Sequence, residues 1–165
     1  MSEPQTTLCA GFFDNETFRQ WCAVGLRRSV IGSSVKLHKR KAGDIIILCN
    51  KDTHRVVAII ILRNFSETDC IWRYPNPFDD PLYTRSYSSY GTYEVSCDIY
   101  LFNEQPTYEE MFQVIGHEGS SIVQAQQSGL KACSFKNDHD IKLNKLRIWV
   151  NQKIVEILVK RATSA

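Results

Sequence analysis

The chain predicts an α+β fold, and three stretches carry that prediction: two apolar runs joined by a polar turn at 43–62, a strand followed by a capped short helix at 93–116, and a long helix at 141–161. Residues 43–62 read GDIIILCNKDTHRVVAIIIL. β-Branched and aliphatic residues fill 45–49 and 56–62, and the polar turn at 50–54 between them makes the pattern of a β-hairpin. The runs are nearly continuous rather than alternating, so both faces are expected to be covered, as in the centre of a sheet or the wall of a small closed barrel. A membrane span takes about 18 or more apolar residues. The turn interrupts this one sooner, and no membrane partner is expected.

Residues 93–101 (YEVSCDIYL) alternate Glu94 and Asp98 with Val95, Cys97 and Ile99, the signature of a strand with one wet and one packed face. After Pro106, the Thr107-x-x-Glu110 spacing is a capping box, Met111, Phe112 and Ile115 give the helix a buried side, and Gly116 ends it. A second short helix is expected over 120–128. In the C-terminal helix, Leu143, Leu146, Val150, Ile154, Ile157 and Leu158 make a core face, and Ile148, Val155 and Val159 make a narrower stripe roughly opposite. A helix apolar on two sides needs two partners, the domain and either a second copy of the chain or the segment around Phe12 and Phe13. A homodimer through this helix is the expectation.

Earlier in the chain, Asp14 or Asn15 caps a helix running to about Arg28, with Phe18, Trp21, Cys22 and Gly25 on one face. Residues 1–12 read as flexible. At 165 residues, with 43% hydrophobic and 23% charged residues, the chain predicts a single domain over 1–165. The first eight residues lack the regions of a secretory signal, so an intracellular protein, cytoplasmic or nuclear, is expected. Cys9, Cys22, Cys49, Cys70, Cys97 and Cys133 form no CxxC or CxH pair. They spell out neither a zinc site nor a redox dithiol, and Cys49 and Cys97 read as small core hydrophobes.

Net charge is +2 but unevenly laid out: residues 1–63 carry +5, 64–118 carry −8 and 119–165 carry +5. From 17 to 43 there is no acidic residue, while Arg19, Arg27, Arg28, Lys36, Lys39, Arg40 and Lys41 are basic. A field of one sign attracts phosphate, each contact releasing counterions. A solvated loop or a short nuclear-import patch (KLHKRK) would look the same. Between residues 69 and 93, seven of the 18 aromatics interleave with Pro75, Pro77 and Pro81. This reads as a long ordered connection whose rings either pack onto the sheet or stack on bases. Trp72, Arg73 and Tyr74 set a guanidinium between two aromatic residues and are the candidates for ligand contact.

A basic segment, then Gly43-Asp44, an apolar strand, a polar turn and a second apolar strand resembles the start of the PUA-like barrel superfamily, which includes the EVE, YTH and ASCH domains. The strand at 93–101 followed by Pro106-Thr107-Tyr108-Glu109-Glu110 is similar to the strand, proline link and short helix late in EVE and ASCH domains. The resemblance implies a small mixed β-barrel of PUA-like type with flanking helices, and a nucleic-acid-binding module, DNA or RNA, that reads a modified or unusual base. By position in that family Ser33, Ser34 and Lys36 line the base pocket, joined by Trp72, Arg73 and Tyr74. Arg27, Arg28, Lys36, Lys39, Arg40 and Lys41 hold phosphates. The tryptophan that YTH domains place there is missing, which argues against methyl-adenine.

An ASCH-like hydrolase acting on a modified nucleoside or RNA, with Lys36 and Glu94 as its lysine and carboxylate, is a second reading implied by the resemblance. A protein-interaction or assembly domain, in which the acidic middle of one copy meets the basic ends of another, is a third. The residues themselves name no catalytic constellation, no cofactor and no metal site. No Ser or Cys sits in a GxSxG elbow, and His117-Glu118 and Asp138-His139-Asp140 match no ligand spacing and read as caps and turns.

Overall fold

The computed structural model describes residues 6–23, 26, 29–33, 41–63, 71–72, 92–116, 131–135 and 137–163. In chain order the elements are β1 (Leu8–Phe13), α1 (Asn15–Ala23), β2 (Val30–Ser33), β3 (Ile45–Asn50), β4 (Arg55–Leu62), β5 (Ile71–Trp72), β6 (Thr92–Leu101), α2 (Tyr108–Ile115), β7 (Lys131–Ala132) and α3 (His139–Thr163). The strands form one mixed sheet in the order β2-β6-β4-β3-β1-β7, with β5 also pairing β6. β1 runs parallel to β3, and the other pairings are antiparallel. Among the described residues the pairings make an open path, and none of them closes a barrel.

The central hairpin forms as its sequence predicts, with Ile47 opposite Ile59 and a register shift between Leu48 and Cys49. Its continuous apolar runs have a direct cause, because successive side chains point to opposite faces and both faces are packed. Ile47, Cys49, Val56 and Ile59 join one core with Met111 and Ile115 of α2 and Leu146, Trp149, Val150 and Ile157 of α3. Ile46, Leu48, Val57 and Ile60 join a second core on the other face with Trp21 of α1 and Ile31 of β2. Trp21 is completely buried, with Phe18, Cys22 and Leu26 packed around it. That is the face the spacing on α1 predicts. Gly25, Arg27 and Arg28 lie outside the described residues.

Residues 1–12 do not all behave as expected. Leu8–Phe13 is an inner strand, hydrogen-bonded between β3 and β7, with Leu8, Cys9 and Ala10 buried. Alternation sends Phe12 to the α3 side of the sheet and Phe13 to the α1 side. The β1–β3 register is joined at its lower-numbered end by Asp44, which is fully buried. Its Oδ1 accepts the Thr7 N–H (2.9 Å) and its Oδ2 the Lys41 N–H (3.0 Å). Gly43, at φ 90°, donates its N–H to the Leu62 carbonyl (2.8 Å) in a conformation that favours glycine.

α2 begins and ends where its sequence says. The Thr107 hydroxyl accepts the Glu110 N–H at 3.1 Å, and Gly116 closes the helix in the left-handed region at φ 70°. Tyr108 stacks on His54 of the hairpin tip at 5.3 Å and donates its hydroxyl to the Asn50 carbonyl at 3.2 Å. The tip is thereby docked against α2. α3 has 25 residues, about 37 Å at 1.5 Å per residue. Leu158, expected on its core face, is instead 46% exposed and extends the outer stripe of Ile141, Ile148, Val155 and Val159. Trp149 takes a place in the core that the stripe count did not assign to it.

Candidate functional site

The register of β6 sorts the site residues expected from sequence. Tyr93 pairs with Ser33 of β2 on one edge and Ile71 of β5 on the other, and Trp72 lies opposite Thr92. With neighbouring strands about 4.8 Å apart, the Ser33 and Ile71 backbones flank Tyr93 across about 10 Å. Lys41 is placed farther along β6. It is exposed, and its turn meets the last residue of β4, Leu62, which pairs with Cys97 four residues along β6 from Tyr93. Ser33 and Trp72, far apart in the chain, therefore meet at the first residues of β6 by backbone placement, and Lys41 lies beside the middle of that strand. Ser34, Lys36, Lys39, Arg40, Arg73 and Tyr74 lie outside the described residues, as do Arg27 and Arg28. Glu94 pairs with Gly32, while its proposed partner Lys36 is among those not described.

Arg19 departs from the expectation of an unopposed basic face. Its guanidinium binds the Glu16 carboxylate one turn away, with Nε donating at 3.1 Å. Glu16 and Asp44 are the carboxylates that bound the acid-free stretch, and both are already engaged, one by Arg19 and the other by backbone N–H groups.

The opposite end of β6, about 30 Å away at 3.3 Å per residue, carries a groove of about 480 Å³. It runs between the second half of α3 and the connection from β6 to α2. Its apolar floor includes Leu101, Phe102, Pro106 and Ile157, and its rim carries Arg55, Lys153, Lys160 and Arg161 together with Glu104, Glu110 and Glu156. The Arg55 guanidinium donates to the Gln105 carbonyl at 2.7 Å. That of Arg161 donates to the Ile99 carbonyl at 3.1 Å and lies 5.8 Å over the Tyr100 ring. Sequence reasoning missed this groove because its walls come from residues 55, 101–110 and 153–161, which share no local motif.

The described side chains offer little for covalent chemistry. Cys9, Cys22, Cys49, Cys97 and Cys133 are all thiols. Burial holds the Cys49 thiol far above its ordinary range and pushes that of Cys97 up to about 12. Neither supplies a thiolate near neutral pH. The Tyr108 phenol is also pushed up, chiefly by burial. Among the described residues no three His, Cys, Asp or Glu side chains gather as a metal site. His139 Nδ1 accepts the Phe135 N–H at 3.1 Å, fastening the start of α3 to the residues after β7. No described helix is long and apolar enough to cross a membrane.

No family model matches the chain, and no curated protein does. Among solved structures, it is similar to a hypothetical protein from Leishmania major, with a TM-score of 0.52 at 11% identity over 92% of this chain and 96% of that one. At that identity the likeness concerns the fold alone, and it extends over nearly the full length of both chains.

Proposed function

We propose that the protein is a nucleic-acid-binding module built on a small PUA-like barrel, in which the basic segment through Lys41 grips phosphates while a base is inspected beside Ser33 and Trp72. The observation that carries this reading is that Ser33 and Trp72 meet at the Tyr93 end of β6, with the Lys41 turn beside the middle of the same strand. These residues belong to the two sequence features suited to nucleic acid, an acid-free basic stretch and an aromatic-rich one. A polyanion supplies what the first attracts, and a nucleobase supplies a flat face for the second. The test is fluorescence anisotropy with modified and unmodified, single- and double-stranded DNA and RNA oligonucleotides at about 50 and 200 mM salt. Affinity should fall with salt at a logarithmic slope of about −0.7 to −0.9 per phosphate contacted. Replacing Lys39, Arg40 and Lys41 together by alanine should reduce both slope and affinity, and Trp72→Ala should remove about 1–3 kcal/mol. An unchanged affinity in the triple variant would remove the basis of the proposal.

The outer stripe of α3 favours assembly as a second reading. Ile141, Ile148 and Val155 recur every seven residues and, with Leu158 and Val159, present exposed apolar surface opposite the buried face. A second copy of the chain, aligned along this helix, would cover it. Sedimentation should give the mass of two chains, reverting to one in Ile148→Glu. A single-chain mass for the unaltered protein at micromolar concentration rejects this reading.

A further inference from the structure

The groove at the far end of β6 is separate from the site of the proposed function, and its chemistry differs. We infer that it docks a short peptide segment in which apolar side chains alternate with isolated carboxylates. Its volume of about 480 Å³ lies within the range of about 300–1,000 Å³ typical of ligand sites. Phe102, Pro106 and Ile157 in its lining are themselves packed into the domain, so the floor is firm and apolar. Two guanidiniums are fixed at its rim by neutral acceptors, Arg55 by the Gln105 carbonyl and Arg161 by the Ile99 carbonyl. Neither is ion-paired with a described residue. A guanidinium held this way has N–H donors left over from its five, the arrangement that receives a carboxylate in two parallel hydrogen bonds.

The rest of the rim decides the class of ligand. Glu104, Glu110 and Glu156 line the same groove, and Lys153 and Lys160 face two of them at 3.2 Å and 3.9 Å. A nucleic-acid backbone, charged at every nucleotide, would bring its phosphates against these carboxylates. A peptide can set its acidic groups at the two arginines and lay apolar side chains on the floor between them.

The experiment uses the full chain and a fluorescein-labelled hexapeptide alternating leucine with aspartate, a matched peptide with asparagine in place of aspartate, and a six-nucleotide oligothymidylate. The aspartate peptide should bind about ten-fold or more tightly than the asparagine peptide, as loss of charge-assisted hydrogen bonds implies. Amide resonance shifts should cluster at residues 101–106 and 153–161. Arg55→Gln with Arg161→Gln should abolish the preference. Glu104→Lys, at a side chain 89% exposed, should tighten binding, a gain that a misfolded variant would not produce. Equal binding of the two peptides, no binding of the aspartate peptide at millimolar concentration, or oligothymidylate shifting the same amides in its place overturns the inference. Because the oligonucleotide site proposed above is at the other end of β6, its loss in the triple lysine/arginine variant would leave peptide binding intact.

Discussion

Asp44→Asn is the substitution that most directly probes how the basic segment is tied to the sheet. The native carboxylate is fully buried and accepts two backbone N–H groups, from Thr7 at 2.9 Å and Lys41 at 3.0 Å. Asparagine keeps the shape and one acceptor, but its amide N–H₂ confronts the second backbone donor. That donor loses its hydrogen bond to a charged acceptor and is left buried without a partner, which should cost about 3 kcal/mol, the upper end of the range for such a group. For a domain of this size that is a fall in Tm of about 6–12 °C. Urea unfolding should show a lower midpoint with an unchanged m value, since the surface exposed on unfolding is the same. At temperatures where the variant is folded, oligonucleotide affinity should also fall, because the Lys41 backbone loses its anchor. A destabilisation below about 0.5 kcal/mol, the range of ordinary surface changes, would refute the assignment of Asp44 as the joint between β1, β3 and the basic segment.

Thr107→Ala should destabilise by about 1 kcal/mol through loss of the Glu110 N–H acceptor, and Thr107→Ser should restore it; chemical denaturation in which the two variants are equal would contradict the capping role. Gly116→Ala should cost about 1 kcal/mol or more, because its φ of 70° strains a residue with a Cβ, and an unchanged midpoint would argue against that backbone. Stability should decline in alkali. The Cys97 thiol is held up to about 12, and the Cys49 thiol and Tyr108 phenol are also raised. The folded state therefore keeps protons that the unfolded state releases from about pH 9, and this contribution is lost as pH rises towards 12, by up to about 1.4 kcal/mol per pH unit for each group. Urea midpoints compared at about pH 8 and 10.5 test it, and Cys97→Ala should flatten the slope; a flat profile for the unaltered chain would exclude buried thiols.

Where a stretch carries its own local reason, it was readable. The 45–62 hairpin has β-branched runs and a polar turn, α2 has both its caps, and the buried stripe of α3 repeats at helical spacing. β1 carried no such reason. Its sequence LCAGFF holds no β-branched residue, and it becomes a strand because Leu8 finds Ile45 in parallel register. That pairing spans 37 positions and leaves no trace in either segment alone. The buried role of Asp44 is not legible either, since nothing in the order of residues says that Thr7 will deliver an N–H to it. Leu158 fell on the wrong side because the core face of α3 narrows towards its end, where Ile157 alone is buried among the last residues. The order of the strand pairings among the described residues, too, depends on which edges meet and could not be counted from apolar runs.

The same dependence on non-local pairing explains why the two proposed sites would be separable in so small a chain. β6 is ten residues long and changes neighbours midway: its first half lies against β2 and β5, its second against β4. The Tyr93 backbone therefore lies between residues 33 and 71, and Leu101 lies beside residues 55–58 and α3. Substitutions at one end leave the hydrogen-bond ladder of the other untouched, so their effects on binding should add. Combining the Lys39, Arg40 and Lys41 replacements with Arg55→Gln and Arg161→Gln tests that argument. If oligonucleotide and peptide binding fall independently, β6 is a rigid spacer between two surfaces. If either loss deepens the other, the two ends communicate through the strand and the separation proposed here is wrong.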